Sequence, residues 1–451
     1  MKALQIELNM MRFAGTKAVN FLVGKNTFTN ISPLSLNNVD PPEKPSGDWY
    51  RAKPILAGIC GSDISSVRGE TSKYFSRIVS LPFTLGHEIV ATVSDGDLEG
   101  KRVVIESILS CKARSIDPVC GQCMSGNIQL CENITFGHLH PGLQTGFCKD
   151  TGGGWSEELV IHKSQIYVVP DDMTDEEAVM VEPTACGVHT ALRAQVKPSD
   201  DVVILGAGTI GLTTLAALRN YANPKTLTIT AKYQIQQKFA ASLGADIIIK
   251  PNELLRTMRR ITNSLAVPPP LSIPSVVMAK LLNKEEQTRQ DADFGNGSSV
   301  SPLRRETDIS QTAVIDRLTA GVDVVIDCIG NSTSIAQALS ITKPGGKIVL
   351  AGMPGDVKID LAPLWQREIS LIGSYGYGAE QMLTVGKTKS KITATNSFSL
   401  AMDLVRKEQL GRLVSAKYPL SRYQDAITHA MEAGSRDAVK IVFSIGRPSH
   451  N

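Results

Sequence analysis

Val202-Val203-Ile204-Leu205-Gly206-Ala207-Gly208-Thr209-Ile210-Gly211 is the stretch on which the reading of this chain turns. Its first four residues are apolar and mostly β-branched, as expected of a strand buried on both faces. A G-x-G-x-x-G turn follows at once and opens a helix-like segment that runs to Arg219. Small residues in such a turn let the backbone approach a pyrophosphate, and the helix N-terminus offers N–H donors and partial positive charge. Glycines also make ordinary turns. Here, however, a strand precedes the motif, a helix follows it and a second strand, Leu227-Thr228-Ile229-Thr230, comes next, so Gly206, Gly208, Thr209, Ile210 and Gly211 are read as a dinucleotide cradle.

Downstream, a second helical segment ends at Leu243-Gly244, and the runs Val322-Asp323-Val324-Val325-Ile326 and Lys347-Ile348-Val349-Leu350 follow. Apolar strands alternating with helices imply a parallel sheet covered on both faces. An NAD-specific unit carries an acid at the end of its second strand, which hydrogen-bonds the adenosine ribose. Here that strand end reads Thr230-Ala231-Lys232-Tyr233, without an acid. Ala231 leaves room, Lys232 supplies positive charge and Tyr233 offers a ring to stack on adenine, so NADP is favoured over NAD. The alternative is a solvated Lys232 and an enzyme that accepts both. Between about Asn252 and Thr312 the rhythm breaks, with Pro268-Pro269-Pro270, Lys284-Glu285-Glu286 and Gly295-Asn296-Gly297-Ser298-Ser299. This is expected to be a partly flexible surface insertion, 252–312.

Upstream of the cradle the texture is β-rich, with short runs such as Arg102-Val103-Val104-Ile105 and Glu158-Leu159-Val160-Ile161. Gly58-Ile59-Cys60-Gly61-Ser62-Asp63 and Gly86-His87-Glu88 offer a thiolate and an imidazole. Taken singly, Cys60 and His87 read as core residues. Together, ahead of a dinucleotide fold, they indicate a catalytic zinc with one position left open for a substrate oxygen. Glu182, in Val181-Glu182-Pro183, is the best candidate for a third ligand. A second constellation, Asp117-Pro118-Val119-Cys120-Gly121-Gln122-Cys123 followed by Cys131, has the compact spacing of a closed, structural four-ligand site. Asp117 is taken as its fourth ligand, and Cys111 is the rival.

The 451 residues exceed one typical core, which favours two domains. With 42% hydrophobic and 20% charged residues and a net charge of +3, nothing favours nucleic acid or an anionic membrane as partner. No stretch reads as membrane-spanning, and Met1–Glu7 lacks the flank and core of a signal peptide, so a cytoplasmic protein is expected. Eight cysteines, five of them between Cys111 and Cys148, fit metal binding in a reducing compartment better than a disulfide scaffold. Cys328, at the end of an apolar strand, reads as a small buried hydrophobe.

In combination and in this order, the motifs resemble the zinc-containing medium-chain alcohol dehydrogenase family, most closely its polyol, threonine and sugar dehydrogenase-like members. The resemblance spans nearly the whole chain, from Gly58 to Gly345-Gly346-Lys347 and Asp437-Ala438-Val439-Lys440, but not the insertion. It implies an α/β protein with a β-rich GroES-like catalytic domain (1–187 and 375–451) and a Rossmann, doubly wound parallel-sheet dinucleotide-binding domain (188–374). It further implies a homodimer or homotetramer with two zinc ions per chain. In that family's terms Cys60, His87 and Glu182 hold the catalytic zinc, and Glu88 is the neighbouring carboxylate that can enter the metal shell. Asp63 orients the imidazole, Ser62 contacts the substrate oxygen, and Lys440 lies near the cofactor pyrophosphate. The implied reaction moves a hydride between the carbinol carbon of a small alcohol, polyol or sugar-like substrate and the nicotinamide.

Two departures stand out: Ser65 occupies the place of a relay histidine, and Asp117 that of the first structural cysteine. Two rival functions remain, a zinc-free quinone or enoyl-type reductase on the same fold and a non-catalytic NADP(H)-binding scaffold. The intact cysteine, Gly-His-Glu and glutamate set argues against both.

Overall fold

The computed structural model describes residues 1–7, 9, 11–16, 31–267, 317–385 and 390–446. Most of the expected insertion falls outside the described residues. Its first part does not: Leu254–Ile261 is a helix whose Leu254 and Met258 are buried against the parallel sheet. Residues 254–261 thus belong to the packed fold and not to a surface insertion; the apolar spacing of Leu254 and Met258 is hidden among charged neighbours in the sequence.

The parallel sheet has six strands in the order Ile247–Ile249, Thr226–Thr230, Asp201–Leu205, Val322–Asp327, Thr342–Leu350, Ser370–Gly373. Every neighbouring pair is parallel. The central Asp201–Leu205 strand explains the layering. Val202 and Ile204 point into one core and Val203 and Leu205 into another, so its period-two side chains fill both faces. The order reverses between Asp201–Leu205 and Val322–Asp327, and a crevice opens beyond their carboxyl ends, where open α/β sheets bind ligands.

The second body is β-rich. A seven-stranded sheet runs Val414–Pro419, Lys440–Ser444, Trp49–Gly58, Ile89–Val93, Arg102–Ile105, Ile166–Val168, with Leu159–His162 paired to the start of Trp49–Gly58. A small sheet of Leu34–Asn38, Lys2–Ile6 and Phe83–Thr84 lies beside it. The C-terminal strand Lys440–Ser444 pairs with Trp49–Gly58, so the chain returns to the β-rich body after the parallel sheet.

The helix Val181–Arg193 joins the two. A boundary at 187/188 cuts it in the middle, with Glu182 in its first turn and residues out to Ala194 in the core shared with the helix Thr209–Tyr221. No described helix is long and apolar enough to cross a membrane.

Candidate active site and metal centres

Strand Trp49–Gly58 ends where the helix Gly61–Val67 begins, and Cys60 is the N-cap residue between them. Asp63, at the third helical position, accepts a hydrogen bond from the Cys60 N–H through Oδ2 (2.9 Å). Its other oxygen stands 3.4 Å from Nδ1 of His87. Asp63 is fully buried and His87 nearly so. A carboxylate at Nδ1 fixes the tautomer and leaves Nε2 with its lone pair, the arrangement a metal-binding imidazole requires. Burial disfavours a charged His87, yet Asp63 and Cys60 hold its pKa well above the ordinary value.

The donor atoms of Cys60, His87 and Glu88 lie within 4.8 Å of one another. Glu182 borders this trio but is not inside it. It is buried, with Oε1 3.9 Å from the Cys186 sulfur. Burial pushes its carboxyl up to about 7, while the positive charges of His87 and Lys440 pull the other way. Glu88 is more constrained than a spare carboxylate would be, because it forms a buried ion pair with Lys440, whose Nζ also donates to the Ile59 carbonyl (3.2 Å). Gly58 makes the room: a β-carbon there would stand 1.8 Å from Glu88 Oε2 and 2.8 Å from Lys440 Cε. Lys440 is therefore a buried counter-ion of Glu88 as well as a neighbour of the cofactor turn. Ser62 and Ser65 are half-buried on the same short helix as Asp63.

The glycine turn lies across a cavity of about 240 Å³ lined by Cys60 and Glu88 on one side and Gly208–Gly211 on the other, with Lys440 and Cys328 at its edge. Gly206 has φ +95° and donates its N–H to Thr230 Oγ1 (2.8 Å). A β-carbon at Gly211 would meet the Gly206 carbonyl at 1.8 Å, whereas at Gly208 it would meet nothing within 4 Å. The last glycine thus serves helix packing, and Gly208 leaves open space for a ligand. Cys328 lines this cavity and so is more than core filling. At the second strand's end Ala231 is fully buried, Lys232 is exposed with its Nζ 5.1 Å from the Tyr233 ring centre, and that ring packs on Gly434.

The second constellation gathers Cys111, Cys120, Cys123 and Cys131, whose sulfurs lie within 4.8 Å of one another. This corrects the choice of Asp117, which is exposed while Cys111 is fully buried at the cluster. The cause is tertiary. Eight residues separate Cys111 from Cys120, and Arg114 folds that loop back by donating to the carbonyls of Leu109, Phe136 and Gly142. The Cys120 N–H and the Asn133 side-chain amide donate to the Cys111 sulfur (3.4 and 3.2 Å), and the Asn133 N–H donates to Cys131 (3.4 Å). Burial opposes ionisation of Cys120, but the N–H groups of Glu132 and Cys123 bring its thiol down to about 7. Four clustered sulfurs, three of which (Cys111, Cys120 and Cys131) accept N–H donors, suit a closed tetrahedral metal site.

The chain matches the family descriptions "Alcohol dehydrogenase GroES-like domain" over residues 48–171 and "Zinc-binding dehydrogenase" over residues 285–388. It belongs to the zinc-containing medium-chain alcohol and polyol dehydrogenase family. An L-idonate 5-dehydrogenase of Vitis vinifera is 25% identical over 436 residues, covering 94% of each chain. A sorbitol dehydrogenase of Arabidopsis thaliana is 26% identical over 394 residues, 84% of this chain and 88% of its own. Among solved structures, a putative zinc-binding dehydrogenase from Sinorhizobium meliloti bound to NADP shares the fold with a TM-score of 0.62 at 22% identity over 98% of both chains. As a member of this family the chain is a zinc- and NAD(P)-dependent oxidoreductase. Membership disposes of the zinc-free reductase and the scaffold.

Two residues went unread in the sequence. Tyr377 accepts a hydrogen bond from Ser107 N–H across 270 residues of sequence, and no motif marks it. Asp327 caps the turn after its strand, accepting from the N–H groups of Ile329 and Gly330 (2.9 and 3.1 Å) and from Ser334 Oγ (2.7 Å). An acid ending an apolar strand ahead of a glycine was the available clue.

Proposed function

We propose that this enzyme interconverts a polyol or sugar alcohol with its carbonyl product, holding one zinc at Cys60, His87 and Glu88 with Glu182 alongside, and a second at Cys111, Cys120, Cys123 and Cys131. The observation that carries the reading is the single cavity bounded by Cys60 and Glu88 on one side and by Gly208–Gly211 on the other. It supports the reading of a metal-ligand cluster set against a dinucleotide turn. Three donors of mixed softness with a buried carboxylate beside them suit a catalytic zinc, and four sulfurs suit a structural one. Bound at the first cluster, zinc would supply Lewis-acid polarisation of a substrate oxygen. The nicotinamide supplies the acceptor or donor of the hydride.

The chain's own residues do the rest. Asp63 keeps Nε2 of His87 available and the ring in place. Lys440 offsets the charge of Glu88 without water. Ser62, two residues after Cys60, takes the substrate hydroxyl's proton toward solvent, and Ser65 stands one helical step further along the same path. Carboxylate rather than thiolate at position 182, and the relatives that act on L-idonate and sorbitol, support a polyol or sugar-like substrate. Ala231 with exposed Lys232 supports a preference for NADP. The edge strand Ser370–Gly373 pairs on one side only among the described residues, which supports a homodimer or homotetramer. Eight free cysteines suit a reducing, cytoplasmic setting.

Metal analysis combined with a panel of polyols, sugar alcohols and simple alcohols, each assayed with NADP and NAD, tests the proposal. The expected result is about two zinc per chain and turnover of polyols that is lost by orders of magnitude in Cys60→Ser and His87→Ala. Near-normal turnover in either variant would overturn the assignment.

A further inference from the structure

Asp327 is the last residue of the strand Val322–Asp327. It pairs with the last residues of both neighbouring strands, Leu205 and Leu350, beside the point where the strand order reverses. The residue is fully buried, and a buried carboxylate costs stability unless donors answer its oxygens. Three donors do so. Oδ1 accepts the N–H groups of Ile329 (2.9 Å) and Gly330 (3.1 Å), and Oδ2 accepts the Ser334 hydroxyl (2.7 Å). Burial raises the carboxyl above its ordinary value, and these same donors work against the rise. The Asp327 carbonyl is engaged as well, accepting the N–H groups of Ala351 and Gly352 (both 2.9 Å).

These bonds converge on the turn Cys328–Gly330, which borders the glycine cradle. The Cys328 N–H donates to the Leu205 carbonyl (3.0 Å), one residue ahead of Gly206, and Cys328 lines the cavity shared with Gly208–Gly211. Ile329 lies across Gly206, where a β-carbon would stand 2.8 Å from its Cγ1. On its other side the turn interlocks with Gly352. A β-carbon at Gly352 would stand 2.5 Å from the Ile329 carbonyl carbon and 2.7 Å from the Gly330 nitrogen, and one at Gly330 would stand 2.5 Å from the Gly352 oxygen. Ser334 extends the same carboxylate to the helix Ser332–Ile341. Its hydroxyl accepts the Asn331 N–H (3.0 Å), and its N–H donates to Asn331 Oδ1 at the helix N-cap (2.9 Å).

We propose that Asp327 is a positioning residue for the dinucleotide: its carboxylate fixes the turn Cys328–Gly330 against Gly206 and Gly352, so that this wall of the crevice is ordered before the dinucleotide arrives. The inference rests on the reading that the glycine turn holds the dinucleotide. A wall already in place charges no ordering entropy to binding, whereas each residue left loose would weaken binding about tenfold. Asparagine can take over the task. Its carbonyl oxygen accepts the same two N–H groups and its amide donates to Ser334 Oγ, whose own proton then turns to the Asn331 carbonyl at 3.1 Å. Alanine supplies none of these bonds.

The test is fluorescence titration of the metal-loaded full chain with NADPH and NADH, well below the melting temperature of every variant. In Asp327→Ala the dissociation constant of whichever dinucleotide the wild type binds should rise at least about tenfold, and Asp327→Asn should stay within about threefold of wild type. Arg367→Met is the structural control. Arg367 donates to the carbonyls of Leu318, Leu339 and Thr342 at the amino ends of the strands, so its loss lowers stability far from the crevice and should leave the dissociation constant within about twofold. Hydrogen exchange without dinucleotide gives a second readout: the amides of Ile329 and Gly330 should be protected in wild type and Asp327→Asn and exposed in Asp327→Ala. Should Asp327→Ala fail to fold, Ser334→Ala removes one donor only, with about a threefold loss of affinity and faster exchange expected. Unchanged affinity and exchange in Asp327→Ala or, in its place, Ser334→Ala would overturn the inference, as would an Arg367→Met that weakens binding as much as Asp327→Ala. A wild type that binds neither dinucleotide would instead sink the reading of the crevice on which the inference rests.

Discussion

Lys440→Met removes one partner of the buried ion pair whose other member, Glu88, belongs to the first metal cluster. Both side chains are almost sealed from solvent, 2% exposed for Lys440 and 1% for Glu88, and Gly58 supplies the space they share. With the catalytic metal stripped, the substitution leaves the Glu88 carboxylate buried without its counter-charge. Breaking a buried pair from one side costs about 3–5 kcal/mol. With a urea dependence of about 2–3 kcal/mol per molar, the unfolding midpoint should fall by about 1–2 M. The double variant Glu88→Gln with Lys440→Met removes both charges and should recover most of the loss, because replacing a whole buried pair is close to neutral. Loading the catalytic metal should shrink the effect of the single variant, since a cation beside Glu88 takes over the role of the ammonium. The assay is urea unfolding followed by fluorescence, on stripped and loaded protein. A stripped Lys440→Met within about 1 kcal/mol of wild type, or a double variant no better than the single, would refute the reasoning.

Cys111→Ser should lose the second metal and lower thermal stability, whereas Asp117→Ala should do neither; metal content and melting temperature check both. Ala231→Asp with Lys232→Ala should shift the kcat/KM ratio toward NAD by at least about tenfold, mainly through KM for the cofactor, since the ribose 2′ group is remote from the hydride. Glu106 offers a pH test: burial raises its carboxyl from 4.5 to about 7 in the folded protein. The unfolded chain loses this proton near pH 4.5 and the folded protein keeps it to about 7, so Glu106 contributes a fall in stability as pH rises through that window. Glu106→Gln should flatten the fall, by up to about 3 kcal/mol at pH 8, in unfolding measured against pH.

The fold was legible because its decisive signals are local. The apolar strand Val202–Leu205, the glycine turn and the helix after it are neighbours in the chain, and each constrains the next by backbone geometry alone. Cys60 with Asp63, and His87 with Glu88, were likewise readable, since metal donors at short spacing leave a pattern that composition does not produce by chance. What the sequence by itself determined was the presence of a dinucleotide cradle, two clusters of metal-binding residue types and their order along the chain.

Which residue joins which cluster was decided only in three dimensions. Asp117 has the better spacing, but Arg114 gathers carbonyls from a distant loop and so carries Cys111, not Asp117, to the other three sulfurs. Lys440 reads from the family resemblance as a neighbour of the cofactor pyrophosphate, and only the pairing of the last strand with Trp49–Gly58 shows it buried against Glu88. Tyr377 carries no motif, because its bond to Ser107 joins segments far apart in the chain. Local sequence specifies backbone geometry and donor chemistry. The partners of a buried charge or a loop cysteine depend on how segments far apart in the chain pack, and no short stretch contains that information.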